Sequence, residues 1–167
     1  AGYGKRAAAV GMMFVMLFSF AACGKTSASE GAEALGGSCI DILNKVYETA
    51  DLDASMRDAM QDYEMRTIDA HMEEYVLGTD EITYTDSAYS APMMTPVAYH
   101  CAVLELPDGT DVPKAKQTLL DNANPAKWIC VEAESVAVES IGDVILYVMG
   151  FDEDVSAIKD AFLALDE

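Results

Sequence analysis

Val136-Ala137-Val138-Glu139-Ser140-Ile141-Gly142-Asp143-Val144-Ile145-Leu146-Tyr147-Val148-Met149 reads as a β-hairpin. Two runs rich in β-branched and aromatic residues flank a turn that holds Gly and Asp, the residues that tolerate turn backbone. The first strand is predicted over Trp128–Glu139 and the second over Val144–Met149, with Ile141-Gly142-Asp143 between them. Downstream, Asp152-Glu153-Asp154 places negative charge where a helix dipole favours it. Val155, Ile158, Phe162 and Leu165 then recur at three- and four-residue steps, the spacing of a helix docked on a sheet.

Upstream of the hairpin the same logic continues. Val112, Ala115, Leu119 and Leu120 give one helix an apolar face, started by Thr110 or Asp111 and stopped by Asn124-Pro125. Val97–Leu106 is a strand that is apolar on both faces and therefore central, and 81–91 alternates as an extended edge strand. Pro92 and Pro96 interrupt pairing around Met93-Met94-Thr95. Ser38 can cap a helix carrying Ile40, Leu43, Val46 and Tyr47, and a shorter helix over 69–77 ends at Gly78. Residues 51–66 are ambiguous: Met56, Met60 and Tyr63 fit helical spacing, but Asp51, Asp53 and Asp58 dilute it. The order α-α-β-β-α-β-β-α predicts an α+β domain, an antiparallel sheet of about four strands with helices packed on one face.

The N-terminal segment carries an address. Lys5 and Arg6 precede the apolar run Ala7–Ala22, which ends in Ser19-Phe20-Ala21-Ala22-Cys23. A basic start, an apolar segment and small residues before a cysteine form the export signal of a bacterial lipoprotein, residues 1–22. The Cys23 thiol is the nucleophile for lipid attachment, and stable anchoring needs more than one fatty-acyl (palmitate-like) chain. A transmembrane anchor is the rival reading, but about 20 apolar residues would be wanted. Residues 23–37 are expected to be the anchor cysteine and a flexible tether, and 38–167 a single acidic domain. The expected location is the outer face of the cell membrane.

Two of the ten basic residues, Lys5 and Arg6, fall in the signal, which holds no acid. The remainder carries 29 acidic against eight basic side chains, a formal charge of −21. Such a surface repels phosphate backbones, so nucleic-acid binding is excluded as a function class.

Cysteine and histidine are the remaining chemistry. Cys39, Cys101 and Cys130 allow at most one disulfide, with Cys101–Cys130 the better pair because both fall in predicted strands; otherwise they are small buried thiols. His100 and Cys101 are adjacent on a strand and point to opposite faces, so they form no dyad. His71 with Cys101 or Cys130 could still serve a thiol- or metal-dependent hydrolase. No Cys-x-x-Cys, calcium loop, phosphate-binding glycine loop or His-Glu-x-x-His occurs, so no catalytic residue, cofactor or metal is assigned. The candidate binding surface is Met93 and Met94 with Tyr89 and Tyr99, because flexible Met and amphipathic Tyr suit an adaptable contact. Met filling the core at a bulged strand is the competing account.

Ser90-Ala91-Pro92-Met93-Met94, Pro107-Asp108-Gly109-Thr110-Asp111, Asp121–Val131 with its Lys127-Trp128-Ile129-Cys130-Val131 run, and Ile141-Gly142-Asp143 resemble a family of short Gram-positive lipoproteins catalogued as a domain of unknown function. The resemblance covers roughly residues 38–165. It implies the lipoprotein address and an α+β fold, and no catalytic residues. Three functions are carried forward: a non-enzymatic binding module for a peptide, small ligand or envelope partner; a hydrolase using Cys101 or Cys130 and a histidine; and a structural accessory of an envelope complex.

Overall fold

The computed structural model describes residues 31–93 and 97–167. The expected signal, Cys23, Met94 and Pro96 therefore lie outside the described residues. The elements run α1 (Ala32–Leu35), α2 (Cys39–Thr49), α3 (Ala54–Ala59), β1 (Tyr63–Arg66), α4 (Glu73–Leu77), β2 (Asp86–Pro92), β3 (His100–Glu105), α5 (Val112–Asn122), β4 (Ser135–Ile141), β5 (Val144–Gly150) and α6 (Asp152–Leu163). Among the described residues, no helix is long and apolar enough to cross a membrane.

The strands form one antiparallel sheet in the order β1-β2-β3-β5-β4. The α+β class and antiparallel sheet match expectation, with one strand more than the four expected. β5 explains the architecture. All seven of its residues are buried, and its side chains alternate between two cores. Val144, Leu146 and Val148 join Ile42, Leu43 and Val46 of α2 and Val155, Ile158 and Phe162 of α6. Ile145, Tyr147 and Met149 join Val76 and Leu77 of α4 and Ala115 and Leu119 of α5. Helices thus cover both faces, not one. A central strand apolar at every position needs cover on each side, since leaving one face wet forfeits about 1.5–3 kcal/mol per large apolar side chain.

Local signals set the helix starts. The Ser38 hydroxyl accepts from the Asp41 N–H while the Asp41 carboxylate accepts from the Ser38 N–H, a reciprocal capping box. Asp111 caps α5 by accepting from the Lys114 N–H. Gly78 ends α4 at φ +78, a backbone state open to glycine.

Four expectations need correcting. Tyr63–Arg66, inside the ambiguous segment, is strand β1 and pairs with β2 from Tyr63↔Pro92 to Arg66↔Tyr89. β2 is consequently an inner strand, and it begins at Asp86 instead of residue 81. Residues 128–134 are a loop: Cys130 sits at φ +66, and the Ala133 N–H returns to the Pro125 carbonyl. The stretch from Gly31, expected in the tether, is folded, because Ala32 and Leu35 on α1 are both buried in the α2/α6 core.

Candidate functional site

β3 carries consecutive residues to opposite faces, and this decides what its neighbours can build. Tyr99 and Cys101 belong to the α2/α6 side, while His100 and Ala102 face α4 and α5. Tyr89 of β2 lies with the second group, so Tyr89 and Tyr99 are both buried but on opposite sides of the sheet. Met93 is 67% exposed at the end of β2. The four candidate binding residues therefore do not converge on one surface.

Tyr99 instead contributes to a groove that the sequence reading did not assemble. Met56 and Ala59 of α3, Tyr63 of β1, Val97, Tyr99 and Phe151 line an apolar cavity of about 230 Å³. The Tyr63 and Tyr99 rings lie 5.3 Å apart, and the Tyr99 hydroxyl meets that of Tyr47 at 2.8 Å. A Cβ at Gly150 would fall 2.9 Å from the Tyr99 ring, so glycine there is what lets the ring seat. Phe151 is 53% exposed, an aromatic left at the edge with little to cover it. Two carboxylates complete the lining, Asp53 and Asp154. Burial pushes the Asp154 carboxyl above its ordinary value, with the Asp53 and Glu153 charges adding to the effect. An apolar floor flanked by acids suits an apolar group that carries positive charge beside it.

The cysteines and histidines stay apart. Cys39 and Cys101 are fully buried and Cys130 is exposed; all three are free thiols, so the Cys101–Cys130 bridge is not formed. Burial pushes the Cys101 thiol up to about 12 and raises Cys39 further, where Asp86 adds to burial. Neither supplies thiolate near neutral pH. His71 is exposed in a 3-10 turn. His100 is wholly buried, and its imidazole Nδ1 lies 2.6 Å from Lys127 Nζ. Among the described residues no group of three His, Cys, Asp or Glu side chains is placed to hold a metal ion. The Lys127–His100 contact was missed in the sequence. Its one visible signal was a lysine next to the only tryptophan in an acid-rich chain.

No protein-family model, curated protein or solved structure matches this chain.

Proposed function

We propose that this chain is a lipoprotein held on the outer face of a bacterial membrane through Cys23, and that its domain is a non-enzymatic binding module. The address is supported by Ser19–Cys23 after a basic and apolar segment, and by the resemblance to short Gram-positive lipoproteins. The observation that carries the binding reading is the groove of Tyr63, Val97, Tyr99 and Phe151 with Asp53 and Asp154 on it. Its occupant is a peptide segment in which an apolar side chain adjoins Lys or Arg, from an envelope partner or a free peptide. The hydrolase reading draws no support from Cys101, whose thiol burial holds protonated, and Cys130 lies exposed with no histidine beside it among the described residues.

The test is fluorescence anisotropy with dye-labelled Leu/Lys peptides and Leu/Glu counterparts of equal length. The basic series should bind and the acidic series should not, with binding weakened by added salt. Phe151→Ser should cost about tenfold in affinity, as loss of an aromatic anchor does. Phe151 is half exposed, so the variant retains its core. Equal binding of both series, or an unaffected Phe151→Ser, sinks the groove as the site. Cys23→Ser should shift the protein from the membrane to the soluble fraction; unchanged fractionation removes the anchor assignment.

A further inference from the structure

The opposite side of the sheet holds a charged group that the groove does not use. Lys127 lies half-buried in the loop between α5 and β4. Its Nζ donates to the Tyr75 carbonyl at 2.9 Å and meets His100 Nδ1 at 2.6 Å. The Tyr75 ring centre is 4.6 Å from the nitrogen and the Trp128 ring centre 5.0 Å. Among the described residues Lys127 joins no ion pair, as is also true of Lys45, Arg57 and Lys114; what sets it apart is its enclosure by two aromatic rings and a buried imidazole.

Chemistry follows from this surrounding. Withdrawal from water favours the uncharged amine, against the attraction that the Tyr75 and Trp128 ring faces exert on an ammonium. Burial pushes the Lys127 amine down to about 7. His100 cannot supply a counter-charge. Its own protonation is held well below the ordinary range, first by burial and then by Lys127. Its ring packs against Tyr147 at 4.9 Å and against Tyr89 and Trp128 at 6.0 Å, and its Nε2 has no hydrogen-bond partner. An ammonium can only donate, so Nδ1 accepts and Nε2 carries the ring proton. In that tautomer the neutral amine keeps both N–H groups on Tyr75 and His100 and its lone pair is free, whereas the other tautomer would donate Nδ1–H to the lone pair.

Lys127 also lines a cavity of about 340 Å³ with Glu74, Asn122, Asn124, Tyr147 and Met149. Asn124 accepts from the Ala126 N–H through Oδ1, which leaves its amide N–H groups to donate to a ligand. The titratable groups facing the amine are His100 from β3, Glu74 and Tyr75 from α4, and Tyr147 from β5.

We propose that Lys127 is a nucleophilic amine that captures a small aldehyde or ketone in this cavity as a reversible imine. Nζ attacks the carbonyl carbon and forms the C–N bond. Both amine protons end on the carbonyl oxygen, which leaves as water, and hydrolysis restores the starting groups. The cavity lies at the small end of ligand pockets, roughly 300–1,000 Å³, which fits a small carbonyl compound. This inference stands apart from the groove and from the lipid anchor.

The experiment treats the full-length chain at pH 7 with propanal or pyruvate and sodium cyanoborohydride, then maps modified lysines by peptide mass spectrometry. Lys127 should be modified at least tenfold faster than Lys45, Lys114, Lys116 and Lys159 with one of the two carbonyls. The preference should disappear when the chain is unfolded in urea. The comparison is internal to one chain and needs no variant to fold. Lys127 modified with both probes at the same rate as the other lysines, or more slowly, overturns the proposal. So does a preference that survives in urea.

Discussion

The hydroxyls of Tyr47 and Tyr99 meet at 2.8 Å where α2 crosses β3. Tyr99 is 2% exposed, so its hydroxyl has no water to fall back on. Tyr47→Phe should therefore cost about 1–3 kcal/mol, the penalty of an orphaned buried hydroxyl. The double variant Tyr47→Phe/Tyr99→Phe should cost less than the two single changes together, because no orphan remains. Urea denaturation of the four proteins reads this cycle; strictly additive costs would show that the hydroxyls do not interact.

The three domain thiols should divide by reactivity. Cys130 is exposed, while Cys39 and Cys101 are buried with raised thiol pKa values. Under native conditions iodoacetamide should label Cys130 alone, and the other two should react only in denaturant. Intact mass before and after unfolding counts the labels. Native labelling of two or three would contradict the packing of α2 on β3.

Lys127 should make stability depend on pH. Its folded-state pKa lies below the unfolded value of 10.5, at about 7. Between these values the unfolded chain binds the extra proton, so stability is present above the unfolded pKa and is lost as pH falls toward 7. The slope is at most about 1.4 kcal/mol per pH unit. His100 acts in the same direction at lower pH, since it too is depressed and loses stability below its ordinary 6.5. Urea unfolding of the wild type and Lys127→Met from pH 7 to pH 9 isolates the first effect: the variant should lose the slope.

Gly78 should tolerate no side chain. At φ +78 any other residue is strained, and a Cβ there would collide with the Asn122 backbone carbonyl. Gly78→Ala should lower stability by more than about 1 kcal/mol, seen as a reduced Tm. The change also drives the end of α4 from the end of α5, two segments that line the Lys127 cavity. An unchanged melting temperature would mean that α4 is not seated as described.

The legible parts of this fold were those whose signals are local. The Ser38 and Asp111 caps, the Gly142-Asp143 turn and the spacing of Val155, Ile158 and Phe162 each lie within a few residues and appear as expected. β1 was not legible, because Met56, Met60 and Tyr63 mimic helical spacing while Tyr63–Arg66 is held by pairing with a distant β2. Trp128–Val131 reads as strand by composition, yet Ile129 is 86% exposed and Cys130 has left-handed backbone. The second helical layer was not anticipated, since helices were expected on one face, although the unbroken apolar run of β5 leaves no side for solvent. The candidate sites were the least legible. The groove unites α3, β1 and the start of α6, and His100 meets Lys127 across 27 positions of sequence. Periodicity carries no information about such meetings.

β3 also gives the domain a top and a bottom. At its Glu105 end the Ala32 N–H binds the Glu105 carboxylate, so the N-terminal segment enters the fold there, beside the β4–β5 turn. Tyr99 and His100 mark the other end, about 17 Å away for a strand of this length. Groove and amine cavity alike open near that far end. Both openings thus lie at the end of the sheet remote from the point where Ala32 joins the fold, so one long axis separates the site of chain entry from the two places a ligand could enter.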